Sequence, residues 1–243
     1  MKRILLWFLL FEGLLLPCWS QEKPTVYAFL PSNLRPHALQ SLMNREAPEV
    51  DIVFFGRFRE FEVQVLQNKP DAVLTYPMVV EYLSQSENLS YKPLVTGIRA
   101  EKRVEPLMLM SVDRQIEVTS IDQTAIGVVS LMGRRQMGHF LADKFKVGKI
   151  SIKTVTKLED LLSLLQFEDV DAILVPESRL DYYKQRSKLN LVITPLPDVS
   201  YRLPILYVGP EAKEEDQKAL REAFGKMEKG VINLLGVDQW QTP

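Results

Sequence analysis

The chain has 243 residues, 46% hydrophobic and 25% charged, with 30 basic against 31 acidic side chains and a net charge of −1. Those proportions belong to a folded globular protein and exclude a disordered or collagen-like chain. The balanced charge argues against nucleic acid as a partner, since a dedicated binder carries a basic face. A single cysteine, Cys18, excludes a disulfide framework and a cysteine-rich zinc site.

The first twenty residues read as a secretory leader. Lys2 and Arg3 give a positive start, and Ile4 to Leu16 is almost wholly apolar. Cys18-Trp19-Ser20 offers small residues at both cleavage-site positions, so cleavage is expected between Ser20 and Gln21. The alternatives are a membrane anchor, for which the stretch is short and interrupted by Glu12, and a lipoprotein acylated at Cys18, whose signal Pro17 fits poorly. No later stretch is apolar enough to span a membrane. The mature protein is therefore expected to be free in the periplasm or another extracytoplasmic space.

Strand and helix patterns then alternate. Thr25 to Leu30 reads as a buried strand broken by Pro31-Ser32-Asn33, and Leu34, Ala38, Leu39, Leu42 and Met43 recur at helical spacing until Pro48. Val50 to Phe55 is a second strand, closed by Gly56. Phe61, Val65 and Leu66 mark a helix ending near Lys69-Pro70, and Asp71 to Thr75 is a strand stopped by Tyr76-Pro77. Leu94 to Ile98 and Pro106 to Val112 follow as strands around a charged turn. Ala125 to Leu131 opens a second series, with a helix carrying Met137, Phe140, Leu141 and Phe145 and a strand from Ile150 to Val155. Thr156-Lys157-Leu158-Glu159 has the form of a capping box before the next helix. Asp171 to Val175 is a strand, Ser178 to Asp181 opens a helix, Leu191 to Thr194 and Leu203 to Val208 are strands, and Glu214 to Lys229 is the last long helix. Such alternation predicts mostly parallel sheets covered by helices on both faces.

One phrase occurs twice. Leu66 to Pro77 and Leu165 to Pro176 each run as an amphipathic helix, a short loop, Asp-Ala, an aliphatic strand and a proline. Coincidence between short α/β units is the competing explanation.

With the leader and the two lobes, these stretches resemble the type II periplasmic solute-binding proteins of ABC importers, most closely the phosphate/phosphonate-binding branch. Val26 to Asn33, Asn68 to Tyr76, Ser120 to Ser130 and Leu158 to Glu177 carry the resemblance. It implies a two-lobed α/β fold with two hinge crossovers: a leader at 1–20, lobe 1 at 21–112 plus 200–243, and lobe 2 at 113–199. That branch usually has a hydroxyl- and glycine-rich loop after the first strand of lobe 2. Here the loop reads Ser130-Leu131-Met132-Gly133, with apolar side chains at two places where hydroxyls are expected.

Ligands in open α/β sheets sit outside the carboxyl ends of the strands. The candidate ligand-binding residues are therefore Ser32, Asn33, Arg57, Tyr76, Ser130, Gly133, Arg134, Arg135 and Glu177. The Ser32-Asn33 loop offers backbone donors to an anion or simply caps a helix. Tyr76 forms an aromatic wall or packs in the core. Arg134-Arg135 oppose the dipole of the helix they begin, a conflict that a bound anion or nearby carboxylates would relieve. Of the two histidines, His139 reads as structural and His37 as nearer the cleft. No Gly-x-Ser-x-Gly elbow, His-Glu-x-x-His or P-loop is present, so no catalytic residue, metal site or cofactor is expected. The expected function is capture of a small anionic ligand by a monomer for a membrane permease. The alternatives are a sensory subunit of a receptor or, third, an enzyme on the same scaffold.

Overall fold

The computed structural model describes residues 23–87 and 89–242; the expected leader and Cys18 lie outside them. In the first half, β1 (Thr25–Ala28), β2 (Asp51–Phe54) and β3 (Ala72–Thr75) alternate with α1 (Pro36–Glu46), α2 (Phe58–Asn68) and α3 (Pro77–Glu87), followed by β4 (Lys92–Ile98) and β5 (Val104–Val112). After a 3-10 turn at Val118–Gln123 come β6 (Ala125–Val129), α4 (Arg134–Phe145), β7 (Ser151–Val155), α5 (Asp160–Gln166) and β8 (Ala172–Pro176). A short 3-10 turn, Glu177–Arg179, leads into α6 (Leu180–Arg186). The chain ends with β9 (Leu191–Arg202), β10 (Ile205–Val208), α7 (Glu214–Lys226), α8 (Lys229–Leu234) and β11 (Gln239–Gln241).

Two sheets result, in the orders β11-β4-β10-β3-β1-β2 and β7-β6-β8-β5-β9. Each contains a parallel trio, β2-β1-β3 or β7-β6-β8, extended by antiparallel strands. The sheets are thus mixed rather than mostly parallel. The expected first lobe ran to residue 112 and resumed at 200. By hydrogen bonding, β5 and all of β9 lie in the second sheet, so the chain passes between sheets at 99–103 and 203–204.

Those two passages are tied together. The Leu203 amide donates to the Arg103 carbonyl at 2.9 Å and the Gly97 amide to the Pro204 carbonyl at 2.8 Å. A Cβ on Gly97 would sit 2.4 Å from Val237 Cγ1 and 2.9 Å from the Pro204 oxygen, so this approach requires glycine.

The repeated phrase has a repeated structural role. Asp71 Oδ2 accepts the Thr25 amide at 2.8 Å, at the start of β1. Asp171 Oδ2 accepts the Ala125 amide at the same distance, at the start of β6. Both partners are shifted by 100 residues, 25 to 125 and 71 to 171. Each aspartate thereby satisfies the first donor of the central parallel strand, which no neighbouring strand reaches. Behind them, Phe61 and Val65 of α2, and Leu161 and Leu165 of α5, are buried against their own sheets.

Several local expectations are corrected. Pro77 is the first residue of α3 rather than a strand stop. The Thr156–Glu159 capping box does not form: α5 begins at Asp160 with no side-chain cap. The last long helix breaks after Lys226, and α8 follows. No helix among the described residues is long and apolar enough to cross a membrane.

Candidate ligand cleft

The carboxyl ends of β1 and β2 face those of β6 and β7 across an open groove of about 780 Å³. Lobe 1 contributes the loop 30–37, Gln40 and the Gly56-Arg57 turn, and lobe 2 contributes Val129, Ser130, Thr156, Lys157 and Glu159. This is the size range of small-molecule sites. Its charges are mostly paired within each lobe: Arg57 lies 4.0 Å from Glu60, and Lys157 lies 3.8 Å from Glu159. These are exposed pairs, and such contacts are worth little. Arg35 has no ionic partner among the described residues, which leaves the groove one cation in excess.

Beneath the groove, sharing Pro31 and Val129 with it, lies a cavity of about 60 Å³ at the hinge. Most of its wall is apolar and comes from both lobes, including Met78 and Leu235 from one and Leu107, Leu131, Met137 and Leu174 from the other. One corner is polar. Glu105, only 3% exposed, projects from β5; its Oε1 accepts the Ser178 amide at 2.9 Å and its Oε2 lies 3.6 Å from Arg99. Arg99 also donates to the Ser178 hydroxyl. Because Arg99 follows β4 of the first sheet while Glu105 and Ser178 belong to the second, this network spans the crossover.

Tyr76 and Tyr201 complete the corner. Their rings meet edge to face, 5.0 Å between centroids and 80° apart, and their hydroxyls are hydrogen-bonded to each other. Burial raises the Tyr76 phenol above its ordinary value. Burial, then the Tyr76 and Glu105 charges, push the Tyr201 phenol well above its own. Both therefore stay protonated at neutral pH, and one bond between two O–H groups leaves one proton to donate.

The structure brings some of the expected residues together and separates others. Ser32, Asn33, Arg57 and Ser130 line the groove, and Tyr76 lines the inner cavity. Ser32 does not cap α1, which begins at Pro36; its hydroxyl accepts the Leu34 amide at 3.1 Å instead. Ser130 has spent its donors, the amide on the Val155 carbonyl and the hydroxyl on the Met132 carbonyl. Gly133, Arg134, Arg135 and Glu177 line neither space. Gly133 precedes α4 and is covered by Gln136, whose amide reaches the Tyr82 hydroxyl at 3.4 Å. Arg134 turns to the Ile152 carbonyl at 3.2 Å, so a backbone oxygen of β7 relieves its conflict with the helix dipole. Arg135 and Glu177 are exposed. His37 lines the groove, while His139 is exposed on α4, away from both spaces.

Sequence reasoning missed Arg99, Glu105, Ser178, Arg179 and Tyr201. One signal was available: Glu105 is the one charged residue of β5, and a carboxylate is rarely buried without a dedicated partner.

No group of three or more metal-ligating side chains occurs among the described residues. No protein-family model and no curated protein matches the sequence. Solved structures do. XAC2383 from Xanthomonas citri bound to chloride ion superposes with a TM-score of 0.64 at 12% identity, over 90% of this chain and 91% of that one. A putative L-cystine ABC transporter protein from Listeria monocytogenes gives 0.59 at 13% identity, over 90% and 98%. The BvgS VFT2 domain of Bordetella pertussis gives 0.55 at 12% identity, over 88% and 91%. At such identities the likeness establishes architecture: the chain has the two-lobed fold of the type II periplasmic solute-binding proteins.

Proposed function

We propose that the protein is an extracytoplasmic solute-binding protein that captures a small anionic ligand between its lobes and passes it to an ABC importer. The carrying observation is that groove and cavity are both walled by two lobes joined at two short crossovers. A ligand seated there contacts both lobes, so its binding favours the closed hinge state, and closure reports occupancy to a membrane permease. The groove and the cavity each carry one more cation than carboxylate, which supports an anion. The resemblance to an L-cystine ABC transporter protein supports the importer role, and a neighbour solved with chloride supports anion capture.

The layout resembles the phosphate/phosphonate branch, but the loop that would hold phosphoryl oxygens is poor in donors. Leu131 and Met132 are buried and the Ser130 donors are used internally. We therefore assign a small anion other than a phosphoryl group, and propose alongside it a monomeric carrier with neither cofactor nor enzymatic role. A second reading, a sensory subunit that signals closure to a receptor, is favoured by the likeness to the BvgS domain. Permease and ATPase genes beside its own gene support import; a kinase or cyclase gene supports sensing.

A thermal-shift screen of small anions tests the capture reading. One ligand class should raise Tm saturably, because a ligand that binds only the folded state stabilises it by RT ln(1 + [L]/Kd). A flat response across the panel at millimolar concentration contradicts it.

A further inference from the structure

Resting on that capture reading, we propose that the inner cavity selects a short aliphatic monocarboxylate. Its carboxylate meets Arg179 and the Tyr76–Tyr201 pair, and its hydrocarbon body lies against Leu107, Leu131 and Leu174. Charge is the first reason. Among the described residues, the charged side chains lining the cavity are Arg99, Glu105 and Arg179, so the corner carries a net charge of +1. Arg99 and Glu105 neutralise each other, and Arg179 forms no ion pair among the described residues. A monoanion balances the corner. A dianion would leave a second charge against apolar side chains, where an unpaired charge is costly.

Donor and acceptor bookkeeping narrows the class further. Arg179 and the remaining phenol proton supply donors suited to a carboxylate. An amino acid would also need an acceptor for its ammonium group. Glu105 is the one carboxylate in the cavity wall, where it accepts the Ser178 amide and its charge offsets that of Arg99. A zwitterion brings no net charge and would leave the corner's excess cation unbalanced, which disfavours amino acids although several structural neighbours bind them.

Size sets the length. A water needs roughly 10–15 Å³ on the scale by which this cavity measures about 60 Å³, so the space suits about four to six heavy atoms. Propionate and butyrate fall in that range.

Calorimetric titration of the purified protein with butyrate, L-glutamate and inorganic phosphate tests the assignment. Butyrate should bind saturably, and glutamate and phosphate at least about tenfold more weakly, the scale of one lost charge-assisted contact. Arg179→Gln should lower butyrate affinity at least about tenfold, and Arg179→Lys by less, since the charge is kept. Butyrate affinity within twofold of native in Arg179→Gln overturns the proposal. So does tighter binding of glutamate or phosphate, which would leave the capture reading standing and move the ligand class. If none of the three binds, the monocarboxylate assignment falls, and the wider anion screen decides capture by itself.

Discussion

The two sheets are built to one plan and finished differently. Both order a parallel trio around a central strand, β1 or β6, and in both an aspartate one hundred residues from its counterpart satisfies that strand's first amide. They part company where the central strand ends. After β1 the chain makes an open, polar loop through Pro31-Ser32-Asn33 before α1. After β6 it makes a tight turn through Leu131 and Met132, both buried, before α4. The shared half is scaffold. The divergent half leaves a polar loop on one side of the groove and sets Leu131 in the wall of the inner cavity on the other, and the charged corner comes from neither loop but from Arg99, Glu105 and the turn after β8.

Core truncation gives the largest expected effects. Phe61 and Leu161 occupy matching positions in α2 and α5 and are both fully buried. Phe61→Ala should destabilise by about 3–5 kcal/mol and Leu161→Ala by about 2–5 kcal/mol in urea unfolding. A cost below about 1 kcal/mol at either position would break the equivalence of the two scaffolds. The aspartates come next. Asp71→Ala and Asp171→Ala should each cost about 1.5–3 kcal/mol, the range for a hydrogen bond to a charged group. Asp171 also pairs with Arg114 at 3.0 Å, but that arginine is 71% exposed and adds little. Much unequal costs would mean that the two anchors are not equivalent. Gly97→Ala, at the junction between the lobes, should cost about 1–3 kcal/mol by overpacking.

Raised tyrosines make lobe 1 sensitive to alkali. Burial pushes Tyr91 and Tyr207 up to about 12. Their neutral forms are favoured in the folded state, so this stability is fully present below pH 10 and is lost as pH rises from 10 to 12. Urea midpoints across that window should fall, and Tyr207→Phe should flatten the decline. The smallest expected effect is at the lobe 2 helix start. Arg134→Gln should change stability by less than about 1 kcal/mol and leave ligand affinity within twofold, because Arg134 meets the Ile152 carbonyl rather than the cleft. A tenfold loss of affinity would return that helix start to the site.

Much of this plan is legible in the chain itself. The Asp-Ala-aliphatic phrase marks both β3 and β8, and its periodicity with the preceding helix places each trio. Elements defined by tertiary placement are harder to read. Pro77 looks like a stop after Thr75-Tyr76, yet proline suits the first turn of α3 equally well. Pro195 and Pro197 punctuate what is one twelve-residue strand, which tolerates them because β9 lies at the edge of its sheet. The outer groove could be read from strand ends, which is how Ser32, Asn33, Arg57 and Ser130 were found. The inner corner could not, because Arg99, Glu105, Ser178 and Tyr201 converge only when two crossovers meet. The dipole conflict at Arg134 was real, but a backbone carbonyl resolves it, and local sequence carries no sign of that.

Lobe closure over a ligand is the claim on which the function turns, and a distance across the groove tests it most directly. Arg59 and Asp160 are exposed in the first turns of α2 and α5, beside groove-lining Glu60 and Glu159. Spin labels on Arg59→Cys and Asp160→Cys, in a Cys18→Ser background, give that distance by pulsed electron resonance. Saturating ligand should shorten and narrow the distribution. A distribution unchanged at full occupancy would contradict capture by closure.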